Sequence, residues 1–417
     1  MKKLFFKATL LIGSFLLTQV ASGQTSATAN LKSNDTSARA GLQLPAGFSA
    51  TVVAEGLNGA RHIAVTKQGG LYVKLARLKD GKGIVYLKDT NGDGAFDKQT
   101  AFGDYPGTGI YIRNGYLYAS SNDDVYRYQL DNNGEVLYPD SPEKIIVGLV
   151  NRNRDNSKSI AVDEKDNIYV NVGSYLNACL VDPSSKQAPN PCPLLDSVGG
   201  IWQFKTNKPN QQYKDGMRYA TGLKNVVGLD WNGNTNSLFV MQHGRDQLHE
   251  LYPQTFTEEQ SNLLPAETMY EVHSGSDAGW PYVYYDQYQH KKILAPEYGG
   301  DGKKAAGEKT LDPVAYFPAH LAPNGLLFYT GKMFPEKYRN GAFIAFHGKS
   351  PELGKGYLVA FVPFKKGKPS GNWDVFAGNF MSGADQHKPC GLAQAPDGSI
   401  YVSDDAKGTI YHIQYNK

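Results

Sequence analysis

Cysteine is scarce, with three in 417 residues. That excludes a scaffold in which cross-links replace a core. No excess of one charge exists either, because 43 Lys and Arg face 40 Asp and Glu, a formal net charge of +3. A nucleic-acid binder would concentrate basic charge on one face, and this balance argues against one. Beyond the first residues no apolar run approaches a membrane span. Few stretches show helical periodicity, which disfavours an α/β enzyme. Hydrophobic residues reach 41% and charged residues 20%, so bulk disorder is excluded too. Glycine (45) and tyrosine (27) are plentiful, and together they point to short strands joined by tight turns.

The start of the chain is an address. Met1-Lys2-Lys3 is positive, residues 10–17 are mostly apolar, and Ala21-Ser22-Gly23 supplies small residues for cleavage before Gln24. Residues 1–23 are expected to be a signal peptide and 24–41 a disordered leader, with a periplasmic or secreted mature chain and no stable membrane insertion. Export permits disulfides. Cys179 and Cys192 enclose a loop rich in Pro, Ser and Asn, which suits a local bond that stabilises by about 3 kcal/mol. Cys390 is then free, and is expected to be a small buried apolar residue.

One phrase recurs six times: a short apolar strand, a turn, and a second strand ending in Tyr-Val or similar. The first strands are Ile63-Ala64-Val65, Ile110-Tyr111-Ile112, Ile160-Ala161-Val162, Val227-Gly228-Leu229, Leu326-Leu327-Phe328 and Leu392-Ala393-Gln394. A third, alternating strand follows most copies, least clearly at Leu248-His249-Glu250-Leu251 in the fourth. One such unit cannot bury both faces of its sheet, whereas six arranged radially can, and ring closure protects the edges. The expected fold is all-β, a six-bladed β-propeller over residues 42–417. Residues 50–54 close the ring beside the last blade. A long insertion at about 252–320 is expected between blades 4 and 5.

In such a ring, residues just before the innermost strands converge at one mouth of the central channel. They are Arg61-His62, Thr108-Gly109, Asp155 to Lys158, Lys224-Asn225, Pro323-Asn324 and His387-Lys388-Pro389. Converging cations are costly without an anion, which implies a negatively charged ligand; a solvated rim is the alternative. After the paired strand, Gln242-His243-Gly244-Arg245-Asp246 and Phe346-His347-Gly348-Lys349 match in kind, and ordinary strand-end turns would explain both as well. Asp89, Asn91, Asp93 and Asp97 have the spacing that opens an EF-hand-like calcium loop, although Thr100 stands where the bidentate carboxylate belongs. A plain β-turn accounts for the same residues.

Seven stretches resemble the soluble pyrroloquinoline-quinone (PQQ)-dependent sugar dehydrogenases, especially their sorbosone dehydrogenase-like branch. They are YATGLKN at 219–225, QHGRDQL at 242–248, GWPY at 279–282, LAPEYGGDG at 294–302, FPAH at 317–320, FIAFHG at 343–348 and APDGSIYVSDD at 395–405. The resemblance implies a six-bladed propeller that binds PQQ with Ca²⁺ and passes hydride from an aldose or sugar-derived aldehyde to the quinone, with electrons going on to an external acceptor. It implies that the backbone carbonyls of Gly244 and Arg245 contact Ca²⁺, and that Lys224, Asn225, Lys349 and Lys388 hold quinone oxygens and carboxylates.

The chain departs from the pattern at three places. Asp155 stands where the family usually has a histidine base, with His62 as the nearest alternative. Lys224 and Lys388 stand where arginines are usual, which keeps the charge but loses the bidentate fork. A non-catalytic binding propeller descended from such enzymes is therefore the competing expectation. A metal-dependent lactonase is disfavoured because few carboxylates converge. Trp280, Tyr282, Tyr284 and Tyr285 would suit sugar stacking, and buried packing explains them equally.

Overall fold

The computed structural model describes residues 40–152, 154–182, 184–381 and 386–416. The expected signal peptide and almost all of the leader lie outside the described residues.

Six antiparallel sheets form the ring. Their innermost strands are Ala60–Val65, Ile110–Arg113, Ile160–Val162, Val226–Asn232, Pro323–Tyr329 and Pro389–Gln394, so all six repeats fall where the apolar phrase placed them. In blade 6 the outermost strand is Phe48–Ala54, from the start of the described chain, paired with Thr409–Tyr415 from its end. This pairing joins the last blade to the first and leaves no gap in the ring.

Apolar clusters fill the spaces within and between the blades. The largest gathers Phe48, Tyr329, Phe334, Tyr338, Phe343, Phe361 and Phe376 at the closure. Phe48 stands edge-on to Phe334, Phe376 and Tyr338 with centroids 4.8, 5.0 and 5.4 Å away. Burying such a ring stabilises by about 2–3 kcal/mol before edge-to-face terms are added, so aromatic packing holds the seam where covalent continuity is absent.

The long segment after blade 4 corrects one expectation. Residues 252–320 are not wholly an insertion between blades. Glu267–Val272 and Ala315–Phe317 are the third and fourth strands of blade 4 itself, and Ser276–Asp277 adds to the edge of blade 3. Leu248–Leu251, read as the third strand, is a short helix. Only one of its residues is buried, Leu248, so it lacks the alternation of a sheet strand. The remainder, including a second helix at Glu258–Leu263 and the hairpin Val283–Asp286 with Lys291–Leu294, forms no part of the six sheets.

Cys179 and Cys192 are bonded and Cys390 is free and buried, as expected. The bonded loop packs against Trp280, and the Tyr282 hydroxyl accepts from Cys192 N at 2.8 Å. Trp280 and Tyr284 are buried, which favours their packing role, while Tyr282 and Tyr285 remain half-buried. No helix among the described residues is long and apolar enough to cross a membrane.

Candidate active site

At the mouth where the inner strands begin, here the upper mouth, a cavity of about 380 Å³ is lined by Arg61, Asp155, Asn225, His243, Asn324 and His347. These residues come from blades 1, 3, 4 and 5. Of the set that the repeat reading aimed at one axis, Arg61, Thr108, Asp155, Asn225 and Asn324 line this cavity, whereas His62, Lys224, His387 and Lys388 do not.

Three of the blades meet through one carboxylate. Asp405, just past the strand Ile400–Asp404 of blade 6, accepts from Arg61 Nη1 at 2.7 Å and pairs with His347 Nε2 at 2.7 Å. Burial alone would raise its pKa, but the His347 hydrogen bond and the Arg61 charge outweigh burial and push it down to about 2. An ionised Asp405 can only accept, so His347 carries its proton on Nε2 and leaves Nδ1 as the basic nitrogen. The neighbouring acid, Asp404, takes His387 Nδ1 at 2.6 Å and the Lys388 backbone N at 2.7 Å. Strand alternation sends the two acids to opposite sides.

The other two histidines here are neutral donors. Burial, together with the charge of Arg61 for His62 and of Lys224 for His243, lowers both to about 4. His62 Nε2 lies 2.8 Å from the carbonyl of Asn324, and His243 Nε2 lies 3.3 Å from that of Pro323. A ring nitrogen bonded to a carbonyl must carry the proton. His62 thus has its Nε2 proton committed, and it lines the channel on the far side of this cavity.

Asp155 has a positive φ of 47°, a backbone state that Asp tolerates better than most residues. Its carboxylate stands 3.4 Å from Lys224 Nζ, 3.4 Å from Asn225 Nδ2 and 3.9 Å from Arg154 Nε. Asn171 Nδ2 donates to Asn225 Oδ1 at 3.0 Å and fixes the amide. Gly173 is required beneath them, because a Cβ there would collide with the Asn225 side chain and the Asp155 carbonyl. Asp155 is an ion-pair partner that orients Lys224 and Asn225. Lys224 itself is buried, with a side chain 4% exposed, so the pair is shielded from salt.

This arrangement corrects the charge argument. Part of the anion that the cations called for is the protein's own: Asp405 for Arg61 and His347, and Asp155 for Lys224. Lys349 is exposed at the end of Gly341–Ser350, and Lys388 holds its ammonium 5.6 Å over the Tyr357 ring. Neither lines the cavity, and neither pairs with a carboxylate among the described residues. Both belong to chain segments at the same mouth, since Gly341–Ser350 runs antiparallel to its inner strand and ends beside the start of that strand.

The Gly244 N–H donates to Glu267 Oε2 at 2.8 Å. The Arg245 guanidinium is buried against Glu297, with Nη1 2.6 Å from both carboxylate oxygens, which ties the loop to segment 294–302. The backbone carbonyls of Gly244 and Arg245 accept no backbone hydrogen bond among the described residues. Asp89, Asn91, Asp93 and Asp97 lie elsewhere, in the turn between Lys82–Lys88 and Lys98–Phe102. Strand direction puts that turn at the opposite mouth. Asp89 there accepts from the N–H groups of Asn91, Gly92 and Gly94, as in a side-chain-capped turn. Among the described residues no three His, Cys, Asp or Glu gather as a metal site.

The donors at the upper mouth fit a polar, acidic guest with a hard cation. Asp155 Oδ2 lacks a hydrogen-bond partner but is compensated by the Lys224 ion pair, whereas Ser157 Oγ and Asn324 Oδ1 are buried without partners among the described residues. Such atoms are costly unless a guest or water satisfies them. Uncommitted carbonyls are the oxygen donors that Ca²⁺ prefers.

Fold and site together define a six-bladed propeller with a polar, internally charge-balanced cavity at one mouth. The chain belongs to the TrAA12-like family, which it matches over residues 42–416. A pyrroloquinoline quinone-dependent sugar dehydrogenase of Hypocrea jecorina is 22% identical over 403 residues, covering 88% of each chain. An uncharacterized protein of Borreliella burgdorferi is 28% identical over 323 residues, covering 74% of this chain and 76% of its own. Among solved structures, the calcium structure of the Trichoderma reesei family AA12 enzyme superimposes with a TM-score of 0.73 at 19% identity, over 93% of this chain and 99% of that one. The holo PQQ domain of Coprinopsis cinerea pyranose dehydrogenase gives 0.69 at 18%, over 89% and 97%. The resemblance read from the seven stretches therefore holds at the level of the family.

Proposed function

We propose that this protein is an exported PQQ-dependent oxidoreductase that oxidises an aldose or a sugar-derived aldehyde. The observation that carries the reading is the His347–Asp405–Arg61 cluster facing the upper cavity. When bound, the Ca²⁺-polarised quinone supplies the hydride acceptor. The chain's own residues do the rest. His347 Nδ1 takes the proton of the reacting hydroxyl, and Asp405 stabilises the imidazolium that forms. Arg61 keeps Asp405 ionised. Lys224 and Asn225, aligned by Asp155, hold acidic and carbonyl oxygens of the cofactor. Lys349 and Lys388 contribute charge at the rim, and the carbonyls of Gly244 and Arg245 hold the ion. In this reading His347 replaces both Asp155 and His62 as the base, because Asp155 is paired to Lys224, and His62 has no carboxylate partner among the described residues and lines the channel beyond the cavity.

Ultraviolet-visible titration of the purified protein with PQQ and Ca²⁺, followed by dye-linked oxidation across an aldose panel, tests it. Quinone binding with turnover lost in His347→Asn, but largely kept in His62→Asn, is the expected result. Turnover that survives His347→Asn would overturn the assignment of the base. The Asp155–Lys224 pair favours the second reading, a binding propeller without turnover; quinone bound with no sugar oxidised at any pH would establish it.

A further inference from the structure

A second cavity, of about 510 Å³, lies on the outside of the ring between the outer edges of blades 4 and 5. It falls within the size range of small-ligand sites. One wall is Tyr316, in the last strand of blade 4, with Tyr285 of the overlying hairpin tilted against it at 5.2 Å between centroids. Trp373 lines the same cavity and packs on Phe317 at 5.8 Å and Phe346 at 6.4 Å. Tyr285, Tyr316 and Trp373 are each half-buried, so part of each ring remains open to the groove.

The polar groups are few and differ in kind. Gln287 is 3% exposed and lines the cavity. Its Nε2 donates to the Leu263 carbonyl at 2.6 Å, which fixes the amide, and its Oε1 is buried without a partner. Glu352 lies exposed at the open end, where its Oε2 accepts from Tyr288. Nothing in the proposed redox chemistry uses these residues.

We infer that this groove binds a neutral oligosaccharide. Pyranose rings present apolar C–H faces that stack on aromatic rings, and hydroxyl edges that need acceptors. The part-open rings of Tyr285, Tyr316 and Trp373 match the faces. The fixed Gln287 Oε1 and the Glu352 carboxylate match the edges. No cation lines the groove, so an anionic ligand has nothing to recognise it. The site does not require the redox reading, and it would bring polymeric or oligomeric sugar to the flank of the protein independently of turnover.

Calorimetric titration of the full chain with cellohexaose, maltohexaose and xylohexaose, with a proline decapeptide alongside, tests this. At least one hexaose is expected to bind. Trp373→Ala should weaken it at least tenfold and Glu352→Ala several-fold, while His347→Asn leaves it unchanged. PQQ titration should be the same in Trp373→Ala as in the parent. If Trp373→Ala fails to fold, the exposed Glu352→Ala carries the test. The inference is overturned if no hexaose binds, if Trp373→Ala and Glu352→Ala bind as the parent does, if only His347→Asn loses binding, or if the decapeptide alone occupies the groove. Loss of quinone binding with hexaose binding retained would sink the redox reading and leave this one standing.

Discussion

The two mouths of the channel are built from the same six strands and differ in almost every other respect. At the upper mouth the strands begin, and strand ends and loops bring Arg61, Asp155, Asn225, His243 and His347 to a cavity of about 380 Å³, with Lys224 paired to Asp155. At the lower mouth the strands end, and a wider cavity of about 600 Å³ is walled by their own side chains, such as Ile63, Ile112, Leu229 and Leu327. Its charges are tied across blades as well: Arg113 of blade 2 lies 3.5 Å from Glu164 of blade 3, and Trp231 Nε1 of blade 4 donates to Glu164 at 2.7 Å. Asp230 accepts from the Phe328 N–H at 2.9 Å, and burial pushes its pKa up to about 7. Asp405 at the upper mouth is kept ionised by Arg61 and His347, whereas Asp230 at the lower mouth is left to burial. Size does not mark the proposed site; an acid held ionised beside a histidine does.

The comparison breaks most readily at Asp405. Asp405→Asn should release the His347 tautomer and leave Arg61 unpaired, lowering kcat by about 10³-fold with the quinone saturating. A loss of less than tenfold in steady-state dye-linked assays would place the chemistry elsewhere. The same residue sets an acid limit. Its folded pKa of about 2 lies below the ordinary 3.8, so its stabilisation is complete above about pH 4 and is lost as pH falls through 2. Thermal melts of parent and Asp405→Asn should therefore converge at the acid end.

Lys224→Met comes next. It strands the buried side of Asp155 and should destabilise by about 3 kcal/mol in urea unfolding, with quinone affinity lost in parallel. Lys349→Met, at an exposed position, should change stability by less than about 0.5 kcal/mol and weaken the quinone only several-fold. Equal effects from the two lysines would mean that the rim and the cavity are one electrostatic site.

Asp230→Asn sharpens the contrast from the other mouth. The folded Asp230 holds its proton more tightly than the unfolded chain does, so the parent loses stability as pH rises from about 4 to about 7. The amide should flatten that slope while leaving sugar oxidation within about twofold; a large loss of activity would tie the lower mouth to catalysis. The smallest effect belongs to Asp89→Ala, which should leave both the quinone titration and the calcium requirement of the upper mouth unchanged. A shifted calcium requirement would restore the loop at 89–97 as a working cation site.

Much of the ring was legible because its information is local. An apolar triplet such as Ile160-Ala161-Val162, followed by a turn and Ile168-Tyr169-Val170, specifies a hairpin whatever lies around it. The Cys179–Cys192 bond was legible for the same reason. Blade 4 was harder to read, because its third strand follows the second only after a helix pair, and Leu-His-Glu-Leu mimics alternation over four residues. At the site, His347 and Lys224 were visible as residue types at repeated positions. Their partners were not. Asp405 closes a stretch that reads as an ordinary strand end, and nothing adjacent to it in sequence signals that it will meet Arg61 and His347.

The amino-acid sequence alone determined six hairpin repeats and a local disulfide, since each rests on periodicity or spacing within a few tens of residues, and seven stretches along it carried the resemblance to the family. Tertiary structure decided which charges neutralise one another, which histidine meets a carboxylate at the cavity, and that aromatic rings from two blades line one groove outside the ring. Those outcomes depend on distances across an axis between residues hundreds of positions apart, and only the packing of blade against blade sets such distances.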